Sequence, residues 1–262
     1  MKRSSPAAFD PAWIPELEKA AFAGWPAEEV RQIGAWHLRA THGVTRRANS
    51  VWAGASTPPR DRDARIAAVE EFYRERGLPP QFQIGPVALD EGLDGELQKR
   101  GYDRRVETEV HALRLDEVVA PVDSASLAAV KVHEEVDADW FELSGQRGRF
   151  RGDAVEVYER LVARLVGTSC FVTAYDGPVP VAVGLGARHG RWVGISSMRT
   201  LESHRRRGFA DAVVRGILAW AGQNGASHAF LQVEPENQGA IALYGRLGFV
   251  RGYGYHYRRL SG

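Results

Sequence analysis

The stretch Met198-Arg199-Thr200-Leu201-Glu202-Ser203-His204-Arg205-Arg206-Arg207-Gly208-Phe209-Ala210 has the residue types of an anion cradle. A strand pattern ends here, a polar loop carries three arginines in a row, and Gly208 opens a helical pattern. Backbone N–H groups at a helix start have no intrahelical acceptor and point outward, toward any anion placed there. Gly208 lets the backbone approach a phosphate closely, and Ala210 keeps the first turn slim. Taken alone, the same residues also describe a solvated surface turn. A second set lies downstream: Leu231-Gln232-Val233-Glu234-Pro235-Glu236-Asn237, then Ala240, Leu243-Tyr244 and Gly248-Phe249. It places a strand, a polar cap and a helical tyrosine at fixed spacing.

Both sets need a scaffold, and the second half of the chain supplies its rhythm. Asp137–Ser144 and Asp153–Val166 read as helices, joined by the Gly/Arg loop Gly145–Gly152. Cys170–Tyr175 reads as a strand with Asp176-Gly177-Pro178 as its turn. Val179, Val181, Val183 and Leu185 alternate as in a half-buried strand, and Arg191–Thr200 follows as another. Phe209, Ala212, Val213, Ile217 and Trp220 share one helical face, closed by Gly225. His228–Val233 reads as a strand, Asn237 as the N-cap of a helix ended by Gly248, and Phe249–Arg259 as a last strand. The fold class is α/β, with a sheet of mixed direction.

The first half repeats the later part of this order. Trp36–Trp52 and Gln81–Ile84 are strand-like, Asp61–Arg76 and Leu93–Arg100 helical, and Val106–Leu115 is a final strand. Gly101-Tyr102 aligns with Gly248-Phe249, which suggests an internal duplication; two independent α/β domains with a common rhythm are the alternative. The halves meet near Val118–Asp123, where Pro121 breaks the pattern. The expected modules are residues 1–120 and 121–262.

Composition narrows the function classes. The 262 residues are 44% hydrophobic, enough to build a core. No apolar run reaches the roughly 20 residues that span a bilayer. Met1–Phe9 lacks the apolar stretch of a signal peptide, so a cytoplasmic protein is expected. A single cysteine, Cys170, excludes an intrachain disulfide and a cysteine-based zinc site, and no metal is expected. It lies in an apolar run and reads as a buried strand residue. The net charge of +1 argues against a protein built to hold nucleic acid. The 30 arginines against 4 lysines fit either phosphate and carboxylate recognition or codon composition.

Together the two sets resemble the GCN5-related N-acetyltransferase superfamily. Arg205, Gly208 and Ala210 match its Arg/Gln-x-x-Gly-x-Gly/Ala pyrophosphate loop, and Asn237, Leu243-Tyr244 and Gly248-Phe249 match its ending. The likeness covers roughly Ser126–Leu260. Arg46-Arg47-Ala48-Asn49-Ser50, Leu93-Asp94 and Arg100-Gly101-Tyr102 look like the degenerate first module of tandem members. There the loop is replaced by Ser56-Thr57-Pro58-Pro59-Arg60-Asp61, whose prolines lack N–H donors. The resemblance implies tandem modules, each a mixed, mostly antiparallel twisted sheet flanked by helices. It implies acetyl-CoA as donor, with Met198, Arg199 and Thr200 along its pantetheine arm. The amides from Arg205 through Arg206, Arg207, Gly208, Phe209 and Ala210 to Asp211 would hold the pyrophosphate, Asn237 would help hold the cofactor, and Tyr244 would act as general acid. The partner would be a small-molecule or peptide amine, and a monomer is expected.

The chemistry fits these residue types. An attacking amine must be neutral, yet a lysine-like amine has a pKa of about 10.4, so something must take its proton. The oxyanion needs a fixed donor, for which Met198 N–H is placed, and the leaving thiolate needs an acid. No nucleophile is placed for an acyl-enzyme, so direct attack in a ternary complex is expected. The sequence departs from the family where a base is usual: Gln232 and Gly194 occupy those positions. Glu234, two residues beyond Gln232, is a candidate, His256 another, and a water relay without a residue-level base a third. Glu202 and His204 read as solvated loop residues. Arg147, Arg149 and Arg151 would border the acceptor. Two rival functions stay open: a non-catalytic CoA-binding protein, and a nucleic-acid or phosphopeptide binder using Arg205–Arg207.

Overall fold

The structure is a computed structural model that describes residues 8–54, 61–90, 92–118, 130–146, 150–165 and 167–261. Residues 1–7, the Pro58-Pro59 loop, the junction at Pro121, and Arg147 and Arg149 lie outside the described residues. By compactness the chain forms two units, Met1–Gly24 with Val110–Gly252 and Trp25–Glu109 with Tyr253–Gly262. These are not consecutive stretches divided at 120/121. The N-terminal helix α1 (Ile14–Ala23) belongs with the larger unit, and the end of the last strand belongs with the smaller one. For α1 the reason is local. Glu16 clasps Arg191 at 2.7 Å, and the Trp13 ring meets Trp192 edge-on at 5.8 Å.

In the larger unit the strands are β5 (Tyr102–Arg114, from Val110), β6 (Val130–His133), β7 (Ser169–Asp176), β8 (Val179–His189), β9 (Trp192–Thr200) and β10 (His228–Val233). Their order is β5-β10-β9-β8-β7-β6. Pairing is antiparallel from β6 to β9 and parallel between β9 and β10. The parallel pair is joined by the crossover helix α7 (Phe209–Gln223). The mixed, mostly antiparallel sheet flanked by helices is as expected. The predicted face of α7 also holds: Ala212, Val213 and Ile217 are buried, with Phe209 and Trp220 packed against the same core.

Strand β8 departs from the half-buried reading, because it is covered on both faces from Val181 to Ala187. The positions between its large residues are small, which the sequence alternation concealed. A Cβ at Gly184 would lie 2.6 Å from Val213 Cγ1 and Met198 Sδ, and one at Gly186 2.5 Å from Ile217 Cγ2. The glycines thus let α7 press onto the sheet, while Val181, Val183 and Leu185 point to the other face. Cys170 is fully buried on β7, and burial pushes its thiol up to about 12. It is a packing residue.

The helix expected at Asp137–Ser144 is split. Asp137 caps α5 (Ala138–Phe141) by accepting from Trp140 N–H at 2.7 Å, and the chain continues as a π-helical turn, Glu142–Gln146. Helix α6 (Asp153–Ala163) follows.

The smaller unit has strands β1 (Glu29–Ile33), β2 (Trp36–Ala40), β3 (Val51–Trp52), β4 (Gln81–Ile84) and β11 (Val250–Leu260, from Tyr253), in the order β1-β2-β3-β4-β11. The expected single strand Trp36–Trp52 is interrupted. His42, Gly43 and Thr45 take left-handed backbone, and the Asn49 side chain fastens the loop. Its Oδ1 accepts from Thr41 and Gly43 N–H, and its Nδ2 donates to the Val44 and Thr45 carbonyls. Helix α2 (Arg62–Arg74) lies in sequence between β3 and β4, which pair in parallel, as α7 lies between β9 and β10. Helices α3 (Pro86–Asp90) and α4 (Leu93–Lys99) then precede β5, in the position that α8 (Gln238–Leu247) holds before β11.

A buried ion cluster fastens β11 within this unit. Asp94 accepts from Arg258 Nε at 2.7 Å and from His256 Nε2 at 2.6 Å. His256, a candidate base from the sequence, is therefore committed to a carboxylate on α4. Burial holds its pKa below the ordinary range.

Candidate active site

The site begins with an irregularity in β9. Opposite β8, Arg199 faces Val183 and Ser196 faces Leu185, so β9 spends one extra residue across Gly184. Ser197 takes a left-handed φ of 50° at this bulge. Such bulges bend a strand and end its regular pairing. On the other side, β9 pairs with β10 from Trp192/His228 to Ile195/Leu231, and the register ends there, although both strands run on. The two strands part, and Met198, Arg199 and Thr200 line a cavity of about 1330 Å³.

The loop after β9 brings the anion cradle to the same cavity. After the short turn Glu202–His204, Arg206 has φ 62° and Gly208 φ 90°. Left-handed residues in a turn let successive N–H groups converge on one point. Gly208 caps α7 with no side-chain hydrogen bond, and Ala212 is the first helix amide to bond back, to the Gly208 carbonyl. The amides of Phe209, Ala210 and Asp211 therefore have no acceptor inside the helix. A Cβ at Gly208 would meet nothing within 4 Å, so its glycine is required by backbone conformation rather than by packing.

Helix α8 forms the facing wall. Asn237 Oδ1 accepts from Ala240 N–H at 3.2 Å as its cap, and Gly248, at φ 105°, closes it. Tyr244 is buried beside Phe249, with ring centroids 5.9 Å apart, and lines the cavity. Desolvation pushes its phenol up to about 12, so it carries its proton at neutral pH.

The structure thus gathers Met198, Arg199, Thr200, Arg205, Arg206, Gly208, Phe209, Ala210, Asp211, Asn237 and Tyr244 around one cavity. Arg207 is turned away. It donates to Asp176 at 2.8 Å, with its guanidinium over the Phe209 ring. Glu234 lies just past the end of β10, exposed, its carbonyl accepting from Asn237 N–H. It is not among the cavity-lining residues, and the strand alternation that would align it with Gln232 stops one residue short. Glu202 and His204, read as loop residues, both line the cavity.

Two features escaped the sequence reading. Arg246 lines the cavity from the last turn of α8. Its signal was present: Gly239, Leu243 and Arg246 recur at i, i+4 and i+7, one helical face. The second is a hydroxyl pair, Tyr158 on α6 and Ser197 in the bulge, 3.1 Å apart. Tyr158 stacks on Phe141 at 6.0 Å and meets Phe150 at 4.6 Å. No periodicity links residue 158 to 197, so only the fold could bring them together.

The model of the family described as "Probable histone acetyltransferase Rv0428c C-terminal" matches residues 12–259. A relative from Bacillus subtilis (strain 168), "Uncharacterized N-acetyltransferase YobR", is 34% identical over 245 residues, covering 94% of this chain and 98% of the relative. The chain belongs to the GCN5-related N-acetyltransferase superfamily. Solved structures of the superfamily share the fold at low identity. A GCN5-related N-acetyltransferase from Kribbella flavida has a TM-score of 0.68 at 17% identity, covering 95% of this chain and 96% of its own. A tandem GNAT protein from the clavulanic acid biosynthesis pathway has a TM-score of 0.62 at 12% identity, covering 99% of this chain and 91% of its own. Among the described residues, no helix is long and apolar enough to cross a membrane.

Proposed function

We propose that the larger unit binds acetyl-CoA and transfers its acetyl group directly to an amine of a small molecule or peptide. One observation carries this reading: the parted edge of β9, the glycine-opened start of α7 and the buried Tyr244 line a single cavity. In this reading acetyl-CoA supplies the activated acyl thioester. Met198–Thr200 pair their backbone with the amides of its pantetheine arm, as an added strand would. The loop and first-turn amides of α7 hold its pyrophosphate. Asn237 spends its Oδ1 on capping α8, which leaves Nδ2 to donate to the cofactor. Met198 N–H donates to the thioester oxygen as charge develops there. Tyr244, kept protonated by burial, gives its proton to the departing sulfur. The amine's proton goes to water or to Glu234, whose place after β10 leaves it solvated.

The smaller unit repeats the order of strands and helices, and we read it as a degenerate module that holds no cofactor. Pro58 and Pro59 stand where a second cradle would need N–H donors. A calorimetric titration of the full chain with acetyl-CoA should therefore give one site per chain. Two sites would restore a working second module, and no binding would overturn the donor assignment.

Tyr244→Phe should lower turnover about a hundredfold and leave acetyl-CoA affinity within about twofold, because the hydroxyl acts on the leaving group. An unchanged rate would remove its role as acid. The second reading, a non-catalytic CoA-binding protein, is favoured by Gln232 and Gly194 at the usual base positions. Acetyl-CoA bound without turnover on any amine would select it.

A further inference from the structure

Three arginines of the loop before α7 and of α7 itself already have carboxylate partners. Arg205 pairs with Glu202 at 3.3 Å, Arg207 with Asp176 at 2.8 Å, and Arg215 with Asp211 at 2.6 Å. Arg206 and Arg246 differ. Both line the cavity, both are exposed, and among the described residues neither has a carboxylate partner. They approach from different walls, one on the loop before α7 and one in the last turn of α8. Arg206 is also held at φ 62°, a left-handed backbone that a bulky side chain adopts only at a cost, and such strain gathers at ligand sites.

The chemistry of the proposed donor supplies an occupant. Coenzyme A carries three phosphates: two in the pyrophosphate bridge and a monoester on the ribose 3′-oxygen. The bridge is served by backbone amides, which leaves the two arginine side chains unspent. A phosphate monoester carries between one and two negative charges near neutral pH, and its three free oxygens suit guanidinium forks.

We propose that Arg206 and Arg246 form a subsite for the 3′-phosphate, so that the cavity selects CoA over 3′-dephospho-CoA. This rests on the donor reading above. The competing explanation for Arg246 is a cation that complements the C-terminal end of α8. That role would act on folding and be indifferent to the nucleotide.

The test titrates the full chain, Arg206→Ala, Arg246→Ala and the double variant with CoA and with 3′-dephospho-CoA at one fixed salt concentration. Wild type should prefer CoA by about a hundredfold, since each charge-assisted pair is worth about tenfold. Each single variant should lose about tenfold for CoA and nothing for the dephospho form, and the double variant should bind the two alike. Thermal midpoints without ligand should match wild type, because both side chains are exposed. Equal affinity of wild type for the two nucleotides would overturn the subsite while leaving the donor assignment standing. So would variants that lose both ligands equally. A wild type that binds neither would overturn the donor assignment and the subsite with it.

Discussion

Gly208→Glu should abolish measurable acetyl-CoA binding while leaving the chain folded. Two effects add. Glycine holds φ 90° at the start of α7, and a side-chain-bearing residue there costs about 1–2 kcal/mol of backbone strain. If the loop relaxes to avoid that strain, the amides of Phe209–Asp211 lose their common aim. The second effect is electrostatic: a carboxylate would stand where those amides are proposed to receive the pyrophosphate. Losing one charge-assisted hydrogen bond costs about 1.5–3 kcal/mol, and repulsion between like charges adds to it. A loss of about two to three orders of magnitude in affinity follows. Steric conflict within the protein is not the cause, because a Cβ at Gly208 meets nothing within 4 Å. Gly208→Asn provides the control, since asparagine tolerates the left-handed region and carries no charge. It should retain most of the affinity. Calorimetry on the three proteins separates the effects, and unchanged binding by Gly208→Glu would sink the assignment of this loop.

Asp94→Ala should cost the folded chain a large part of its stability. Arg258 is 6% exposed and His256 3% exposed, and Asp94 accepts from both. Removing the carboxylate strands a buried guanidinium, which typically costs about 3–5 kcal/mol. The pair also sets a pH dependence. The hydrogen bond from Arg258, helped by that from His256, lowers the Asp94 carboxyl to about 2 from its ordinary 3.8. The folded state therefore holds its proton less tightly than the unfolded one. The stability this contributes, about 2 kcal/mol, is present above the ordinary value and is lost as pH falls through it toward 2. His256 acts in the same direction at higher pH. Its folded pKa lies below the ordinary 6.5, so acidification through that region favours the unfolded chain, which takes up the proton more readily. Thermal melts of wild type and Asp94→Ala should differ most near neutrality and converge toward pH 2. A difference independent of pH would show that the ion cluster is not what fastens β11.

Much of the candidate site was legible before any fold was known. Gly208 behind three arginines, and Asn237 spaced to Tyr244 and Gly248, depend on local rules: helix caps, left-handed glycines, and a helical period that puts Ala240 and Tyr244 together. Such rules act over four to eight residues, which is why α7, α8 and their caps came out where the pattern put them. Arg207 shows the limit. Its place in the row of arginines was plain, yet Asp176, 31 positions away, turns it out of the cavity.

Relations between distant segments came from the folded chain alone. The division of the chain into units follows α1 clasping Arg191 and β11 pairing with β4, contacts separated by more than 160 residues. The glycines of β8 carry no periodic signal, and their purpose appears only once α7 lies on them. The parting of β9 from β10 is the clearest case. Both strands continue in sequence as though paired, and nothing in their residue types marks where the register ends. The bulge at Ser197, across from Gly184, turns β9 aside and opens the cavity. Residue order was enough to say which local pieces would form and which chemical groups they would carry. The fold decided which of those groups face one another, because that depends on side chains meeting across the sheet.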